Sequence, residues 1–539
     1  MNRRILGILF VGVFLSACFS SQKPKEKQVF YLNLVGGLEN LDPAFAKDLS
    51  TMWCAHALYN TLLESNEQSQ LVPSIAKDWT VSSDGLLYTF HLRNDVYFHP
   101  NPLFENNSRK LTAADVVFSY NRLIDPATAS PGAWIFNDRV VPQQPFVAID
   151  DTTFQIRLVR PFRPLLEILT MPYCSIVPQE VVRHWGKDFR NHPCGTGPFR
   201  FQYWDEGNVL LFYKNENYWQ HDSAGNPLPY IDAVQFSFYD NKATEFLLFL
   251  QERLDFVNGV DGSFKDLVLT RQATLKPEFV QKMVLQKKGY LNTEYLGFNM
   301  DTANPVVAAS PTQSELIRKA INYAIDRKKI VTYFKNGMGI PATGGFTPPG
   351  IPGFDSVAHY GYHYQPAKAL ALLAQAGYPN GKGLAPIKII TPDNYADIVN
   401  FIAGQLQDVG IKLEVEIMQP AIIKEQMAKN KTPFFRAQWI ADYPDAETFL
   451  TVFDSRLPSP PNYTRFSNAD FDRLYDAAMN ENNDSIRLSY YRKMDSMAIQ
   501  KAPVVPLYYD QRMHFLQKKV SGFRSSPMNI IDLKWVRKE

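Results

Sequence analysis

Short stretches in which apolar and polar residues alternate recur through the first half of the chain, and this period of two predicts strands. They cover residues 29–35, 154–160, 199–214 and 234–239. Longer stretches carry apolar residues every three or four positions, which predicts helices with one buried face. These cover residues 243–252, 315–335, 468–480 and 484–500.

One part of the second half of the chain predicts how its strands pair. The strand-like sequence IKIIT (387–391) is followed by a helical pattern over 394–409 and then by the strand-like IKLEVEIM (411–418). A strand, a helix and a strand in this order form a right-handed crossover in a parallel sheet. A further strand is predicted for VVPLYYD (504–510). Together with the separate alternating strands, the pattern predicts a multi-lobed α/β protein.

Helix start signals support one further element. Thr112 is a favourable N-cap, and Asp115 stands three residues later, which is a capping-box arrangement. A helix is therefore predicted to begin at Ala113.

Composition narrows the class of protein. The chain has 539 residues, of which 45% are hydrophobic and 20% charged, which excludes a mostly disordered chain and a polytopic membrane protein. Fifty-six basic and 54 acidic residues give a net charge of +2, so bulk charge does not indicate nucleic-acid binding. This length is ample for a buried core without a metal or a disulfide.

The first residues predict export. Arg3 and Arg4 precede an uncharged, mostly apolar run over residues 5–14, which is too short to span a bilayer and is typical of a signal peptide (1–17). The following Leu-Ser-Ala-Cys resembles the lipobox of bacterial lipoproteins, which implies acylation of Cys18 and a lipidated tether over 18–27. The protein is then predicted to be extracytoplasmic and anchored to the membrane, on the periplasmic face or the cell surface. Ordinary secretion with a coincidental Cys18 is the alternative.

The other cysteines are Cys54, Cys174 and Cys194. Disulfides persist in exported proteins, so a disulfide between Cys174 and Cys194 is predicted, with two separate buried thiols as the alternative. Cys54 lies among apolar residues at helical spacing and is predicted to be a small buried core residue.

Several short motifs, in order along nearly the whole mature chain, carry a family resemblance. The chain resembles the bacterial extracellular solute-binding family that includes the oligopeptide-, dipeptide- and nickel-binding proteins of ABC importers. The motifs lie at residues 41–43 (LDP), 71–96, 111–117, 195–199 (GTGPF), 215–219 (NENYW), 295–299, 318–327, 441–445 and 503–507. Each is weak alone, but their shared order is specific.

The resemblance implies an α/β, periplasmic-binding-protein-like fold of two hinged lobes with an extra domain on one lobe. Lobe I would comprise residues 28–60, 194–285 and 503–539, the extra domain 61–193, and lobe III 286–502. The chain would cross between the lobes near residues 285 and 502, and closure about these crossings would bury a ligand. The implied protein is a substrate-binding receptor, not an enzyme, and works with ABC permease subunits.

The resemblance also carries over binding residues onto FRAQWIADY (435–443). Asp442 matches the residue that pairs with a peptide's α-ammonium group, Arg436 one near the peptide's C-terminal end, and Trp439 one that lines a side-chain pocket. Tyr443 and Leu49 are placed beside the ligand as well. Loop 44–49 holds Lys47 where some relatives have an acidic residue, which leaves the charge preference of one pocket open.

Structural roles are the alternatives for these residues. Asp442 could cap the helix predicted at 446–453, Arg436 could form a structural ion pair, and Trp439 could be a core residue. An oligosaccharide or another small solute is the alternative ligand, because aromatic side chains stack on sugar faces. An exported hydrolase is a third reading, although no catalytic motif is visible, and a sensor or adhesion lipoprotein is a fourth.

No cofactor, metal site or nucleic-acid partner is predicted, and the protein is expected to be a monomer. His359 and His363 are four residues apart, but Gly361 and the flanking tyrosines favour a loop over a metal site.

Overall fold

The computed structural model describes residues 27–354 and 360–539. The predicted signal peptide, Cys18, nearly all of the predicted tether and His359 lie outside the described residues.

Strands are distributed along the whole described chain. They are β1 (Val29–Asn33), β2 (Leu63–Ser65), β3 (Leu71–Pro73), β4 (Ala76–Val81), β5 (Leu87–Leu92), β6 (Phe146–Asp150), β7 (Thr153–Arg157), β8 (Phe199–Asp205), β9 (Val209–Lys214), β10 (Ala233–Ser237), β11 (Phe256–Asn258), β12 (Met283–Phe298), β13 (Ile340–Pro341), β14 (Ile387–Thr391), β15 (Leu413–Ile417), β16 (Phe434–Ile440), β17 (Val504–Gln517), β18 (Val520–Ser521), β19 (Arg524–Ser525), β20 (Ile531–Asp532) and β21 (Arg537–Lys538).

Helices lie in the segments between these strands. The helices are α1 (Leu49–Leu58), α2 (Ala113–Ile124), α3 (Leu165–Ile168), α4 (Gln179–Trp185), α5 (Lys242–Leu250), α6 (Gly262–Val268), α7 (Pro277–Val280), α8 (Pro305–Ala308), α9 (Glu315–Ala324), α10 (Arg327–Lys329), α11 (Pro366–Gln375), α12 (Ala396–Gln407), α13 (Pro420–Ala428), α14 (Glu447–Leu450), α15 (Ala469–Met479) and α16 (Asp484–Lys501).

Three larger sheets organise the molecule. One has the order β1-β10-β9-β8, a second the order β4-β5-β7-β6, and a third the order β11-β17-β12-β16-β14-β15 with β13 paired to β17. The first sheet lies within the predicted limits of lobe I, and the second within those of the extra domain. The predicted crossover is confirmed, because β14 and β15 pair in parallel and α12 connects them.

The third sheet runs continuously through two long strands. The first half of β12 pairs with Arg512 and its neighbours in β17, whereas the second half pairs with the start of β17 and, on its other side, with β16. The register between β12 and β17 shifts between Gly289 and Thr293. The pairing of β12 with β17 therefore shifts a few residues beyond the chain crossings that are predicted near residues 285 and 502. The lobe limits themselves stay a prediction.

Local sequence signals explain several boundaries. The capping box at α2 forms as predicted, and the Thr112 N–H donates to the Asp115 carboxylate at 2.9 Å. The helix predicted over 315–335 is interrupted instead: α9 ends at Ala324, and the Asp326 side chain accepts from the Lys329 N–H to begin a new turn. An aspartate in the middle of a helical pattern thus acts as a cap.

The predicted disulfide between Cys174 and Cys194 is wrong in this structure, because both residues are free, buried thiols. The sulfur of Cys174 lies 3.8 Å from the carbonyl oxygen of Ile168, and that of Cys194 lies 3.6 Å from the carbonyl oxygen of His99. Each thiol thus packs in its own environment, and burial raises the pKa of Cys194 to about 12. Cys54 is fully buried on α1, as predicted.

Candidate functional site

A cavity of about 730 Å³ opens where distant parts of the chain meet. Leu49 at the start of α1, Trp134 and Tyr173 in two short turns, and Asp442 after β16 all contribute to its wall, as do residues between Arg524 and Trp535. The cavity therefore has walls from all three predicted parts of the molecule. A pocket of this volume and mixed polarity is typical of a small-molecule site.

The wall formed by α1 is held by aspartate caps and one ion pair. Asp48 begins α1, and its side chain accepts from the Thr51 N–H at 2.9 Å. Just before it, Asp42 caps the turn at residues 43–45 and accepts from the Arg122 guanidinium at 2.8 Å. These contacts fix the loop 44–49, so that Lys47 and Leu49 reach the cavity.

Asp442 lies on the cavity wall, where its carboxylate is open to the cavity. The preceding residue continues the sheet, because the Ala441 N–H donates to the Leu291 carbonyl at 2.8 Å. Among the described residues the Asp442 carboxylate has neither a hydrogen-bond donor nor an ion-pair partner; only its backbone N–H is engaged, by the Thr448 hydroxyl at 3.4 Å. The surrounding protein raises the Asp442 pKa to about 6 by desolvation.

The alternative role of Asp442 as a helix cap is filled by another residue. The Asp445 side chain accepts from the Glu447 N–H at 2.8 Å, at the start of α14. Asp445 also pairs with the buried Arg487. Asp442 is thus left without a structural partner in the described chain.

Tyr443 and Leu49 also line the cavity. The Tyr443 hydroxyl donates to the Glu447 carboxylate, and its ring stacks on Trp134 with 6.4 Å between centroids. Tyr443 is only 4% exposed, so it shapes the wall more than it offers a polar group. Lys47 stands at the same side of the cavity, 4.0 Å from the exposed Glu39.

Arg436 and Trp439 do not line this cavity, and their predicted ligand contacts stay a prediction. The Arg436 guanidinium pairs with Glu294 on β12 and lies 3.2 Å from the centroid of the Tyr395 ring. The Trp439 indole N–H donates to the Thr448 carbonyl at 2.6 Å. The ion pair of Arg436 and the packing of Trp439 are the contacts that their structural alternatives describe.

Sequence reasoning missed several basic residues that line the cavity. Lys534 is almost fully buried and contacts Glu64 at 3.1 Å and Asp532 at 3.4 Å. Burial opposes ionisation of Glu64, but the charges of Lys534 and His56 outweigh it and lower the Glu64 pKa to about 2. Arg512 and Arg524 also line the cavity. The apolar pattern VVPLYYD predicts a strand that ends at residue 510. In the structure β17 continues to Gln517, so Arg512 belongs to this strand.

The described part of the chain lacks two features that would indicate other functions. Within residues 27–354 and 360–539, no group of three or more His, Cys, Asp or Glu side chains is arranged to hold a metal ion. Over the same ranges, no helix has both the length and the apolar character needed to cross a membrane.

Comparison with known proteins identifies the family. The profile described as "Bacterial extracellular solute-binding proteins, family 5 Middle" matches residues 70–459. Heme-binding protein A of Haemophilus influenzae is 28% identical over 488 residues, which cover 87% of this chain and 85% of that protein. The glutathione-binding protein GsiB of Shigella flexneri is 27% identical over 496 residues, which cover 90% of each protein.

A solved structure supports the same conclusion. The ABC transporter-associated periplasmic binding protein DppA from Helicobacter pylori, in complex with the peptide STSA, aligns with a TM-score of 0.71 and 26% identity. The alignment covers 95% of this chain and 98% of DppA. The predicted α/β fold of two lobes is confirmed, and these relatives are extracytoplasmic binding proteins rather than enzymes. The chain belongs to the bacterial extracellular solute-binding proteins, family 5, the receptors of ABC importers that bind peptides or related ligands.

Proposed function

We propose that this chain is a lipid-anchored receptor that captures short peptides in the cavity and delivers them to an ABC permease. The observation that carries the proposal is the unpaired Asp442 carboxylate on the cavity wall. A buried ammonium group needs a carboxylate, because leaving it unpaired costs several kcal/mol. Asp442 supplies that group, and the peptide backbone can add hydrogen bonds that do not depend on its side chains.

An oligosaccharide is the second candidate, and the rings of Trp134, Tyr173 and Trp535 on the wall support it. Such a ligand would stack on these rings, but it would leave the Asp442 charge without a partner. The relatives bind haem, glutathione and a peptide according to their names, so the ligand class has to be measured.

Thermal unfolding in the presence of candidate ligands tests the proposal. Free-amine peptides of two to five residues are expected to raise the melting temperature, because a ligand at 100 times its Kd stabilises the native state by about 2.7 kcal/mol. Maltotriose and a nickel chelate serve as comparison ligands. A rise with either of these, and none with any peptide, would reject a peptide receptor.

Peptide affinity is expected to fall in acid. Desolvation by the walls of the cavity raises the Asp442 pKa to about 6 in the free protein, so the carboxylate is present above this pH and becomes protonated below it. Because the ammonium binds only the carboxylate form, the Kd of trialanine should be constant above about pH 7 and rise about tenfold per pH unit well below 6. Isothermal titration calorimetry between pH 4.5 and 7.5 measures this. An Asp442→Asn variant with the same pH dependence would show that another group is responsible.

Membrane attachment through Cys18 gives a separate expected result. Several acyl chains on one cysteine anchor a protein stably, whereas one chain is marginal. The Cys18→Ser variant, expressed in a bacterial host, should therefore move from the membrane fraction to the soluble extracytoplasmic fraction while the unchanged chain stays with the membrane. Retention of the variant in the membrane fraction after a high-salt wash would contradict a lipid anchor.

A further inference from the structure

Two segments of the chain carry a strong excess of basic residues. Residues 265–288 and 327–340 together hold ten basic and two acidic residues, whereas the whole chain has a net charge of only +2. The rest of the chain is therefore acidic on balance. Charge of one sign that is concentrated in a nearly neutral protein creates a local field, which attracts a partner of the opposite charge.

The two segments pack against each other and form one surface. The Asn336 side-chain amide donates to the Asp266 carboxylate at 2.8 Å. The next residue, Gly337, approaches the first segment so closely that an added Cβ would lie 3.2 Å from the carbonyl oxygen of Arg271. The basic residues of both segments therefore belong to the same side of the molecule.

Five basic side chains of the first segment form no ion pair with any described residue. We call them the basic patch, and they are Lys265, Arg271, Lys276, Lys282 and Lys287. Two of them, Lys276 and Lys287, donate to backbone carbonyl oxygens, which leaves their charge without a counter-charge. Lys288 and Lys335 are different, because they pair with Glu67 and Asp510.

Exposed apolar side chains accompany the basic patch. Leu267 is 49% exposed and Val280 43%, and both belong to the first segment. Tyr333 of the second segment is 62% exposed, more than any other large hydrophobic residue of the described chain. Basic residues beside exposed apolar side chains are typical of proteins that lie on a membrane surface, since the apolar tips enter the headgroup region while the cations meet lipid phosphates.

The predicted lipid anchor joins the molecule beside this surface. Tyr31 of β1 packs against the same apolar core as Val268 and Met283 of the first segment. The predicted tether, residues 18–27, ends four positions before Tyr31. Because ten residues span at most about 35 Å, an acylated Cys18 would hold the basic patch close to the bilayer.

We propose that the basic patch binds the anionic headgroups of the membrane that carries the lipid anchor, so that the receptor rests on the bilayer by one face. Four of its five residues are lysines, whose point charges need no fixed ligand geometry and suit a diffuse layer of lipid phosphates. The inference rests on the proposed lipid anchor and adds a second, reversible contact. One acyl signal together with a polybasic patch is a combination that anchors proteins stably.

Vesicle flotation without an acyl chain tests the inference. The probe is the Cys18→Ser variant recovered from the soluble extracytoplasmic fraction. At low salt it should bind vesicles of phosphatidylcholine with about one third phosphatidylglycerol at least tenfold more tightly than vesicles of phosphatidylcholine alone. High salt should abolish the difference, because it screens exposed charges. Equal binding to both vesicles, or binding to neither, would overturn the inference, and binding to neither would leave an acidic protein as the partner to test.

A set of charge variants shows whether the basic patch is responsible. In the Cys18→Ser background, Arg271→Gln/Lys282→Gln/Lys287→Gln should weaken binding to the anionic vesicles about 100-fold, since each charge near such a surface contributes about fivefold. The matched control alters three exposed lysines on and around β14 and α13. It is Lys382→Gln/Lys388→Gln/Lys424→Gln, and it should bind within about threefold of the probe.

A charge-preserving variant separates the loss of charge from a loss of structure. Arg271→Lys/Lys282→Arg/Lys287→Arg should bind the anionic vesicles within about threefold of the probe. Equal losses in this variant and in the glutamine variant, or no loss in either, would contradict a role of the patch charges. The lipid anchor is tested separately by fractionation of the unchanged chain, so a protein that stays with the membrane only through Cys18 keeps the proposed function and overturns this inference alone.

Discussion

Replacing Asp442 with asparagine is expected to weaken free-amine peptides by about 2–5 kcal/mol, or roughly 30- to 5,000-fold in Kd, which is typical for truncating one partner of a buried charge pair. The substitution preserves the size of the side chain and removes the charge that pairs with the ammonium group. N-acetylated peptides lack that ammonium, so their weaker binding should change by less than threefold. Calorimetry on the same peptides with and without the acetyl group measures both effects.

A matched control shows whether the loss of peptide affinity is specific to Asp442. Asp408 is an exposed aspartate at the end of α12, and Asp408→Asn removes the same charge outside the cavity. This variant should bind free-amine peptides like the unchanged chain. Equal losses for acetylated and free peptides in Asp442→Asn would show that Asp442 acts on the structure and not on the ligand.

The Asp442→Asn variant should be more stable than the unchanged protein when no ligand is present. Burial raises the Asp442 pKa to about 6, so the folded state takes up a proton more readily than the unfolded state, whose aspartate pKa is about 3.9. Above pH 6, a raised carboxyl pKa destabilises the folded state. Below the pKa of the aspartate in the unfolded state, it has no effect on stability. Asp442→Asn should therefore raise the melting temperature at pH 7.5 and leave it unchanged near pH 3.5. An increase in stability together with lost binding is typical of a functional site.

Replacing Arg487 with methionine is expected to lower the free energy of unfolding by about 3–5 kcal/mol, because it leaves buried carboxylates without a counter-charge. Arg487 on α16 is 2% exposed and pairs with Asp445, and it lies 3.8 Å from Glu167 on α3. Burial and the charge of Asp445 raise the pKa of Glu167, whereas the charge of Arg487 lowers it, so these carboxyl groups depend on the arginine. Chemical denaturation followed by tryptophan fluorescence measures the loss.

Two further variants show whether charge burial causes this loss. Arg473→Met breaks an exposed pair with Asp470 on the neighbouring α15 and should cost at most about 1 kcal/mol. Adding Asp445→Asn to Arg487→Met removes one uncompensated carboxylate and should recover part of the stability. An Arg487→Met variant as stable as the Arg473→Met control would contradict the prediction.

Local patterns in the sequence predicted much of the fold. The strand–helix–strand unit over β14, α12 and β15 follows from hydrophobic periodicity, and the start of α2 follows from Thr112 and Asp115. Both depend on residues that are close in the sequence. The break after α9 was missed because Asp326 within a helical pattern is indistinguishable from an exposed helical residue until its cap contact is known.

The site was predictable only in part, for a related reason. The motif around residues 441–445 placed Asp442 and Tyr443 on the cavity wall. Arg436 does not line the cavity, because its side-chain direction depends on Glu294, which lies 142 positions earlier and meets it only through the register of β12 and β16. The pairing of Cys174 with Cys194 failed likewise, because sequence spacing does not show that each thiol packs against a different carbonyl group.

Arg512 depends on structure that the apolar pattern does not show. The pattern VVPLYYD ends at Asp510, whereas β17 continues to Gln517, so the residues after Asp510 carry no apolar strand signal.

A crystal structure of the chain with Ala-Ala-Glu tests the central claim most directly. The account predicts the peptide in the cavity with its terminal nitrogen about 3 Å from the Asp442 carboxylate, a charge-assisted hydrogen bond. A peptide bound in the opposite direction, or outside the cavity with Asp442 still facing solvent, would contradict it.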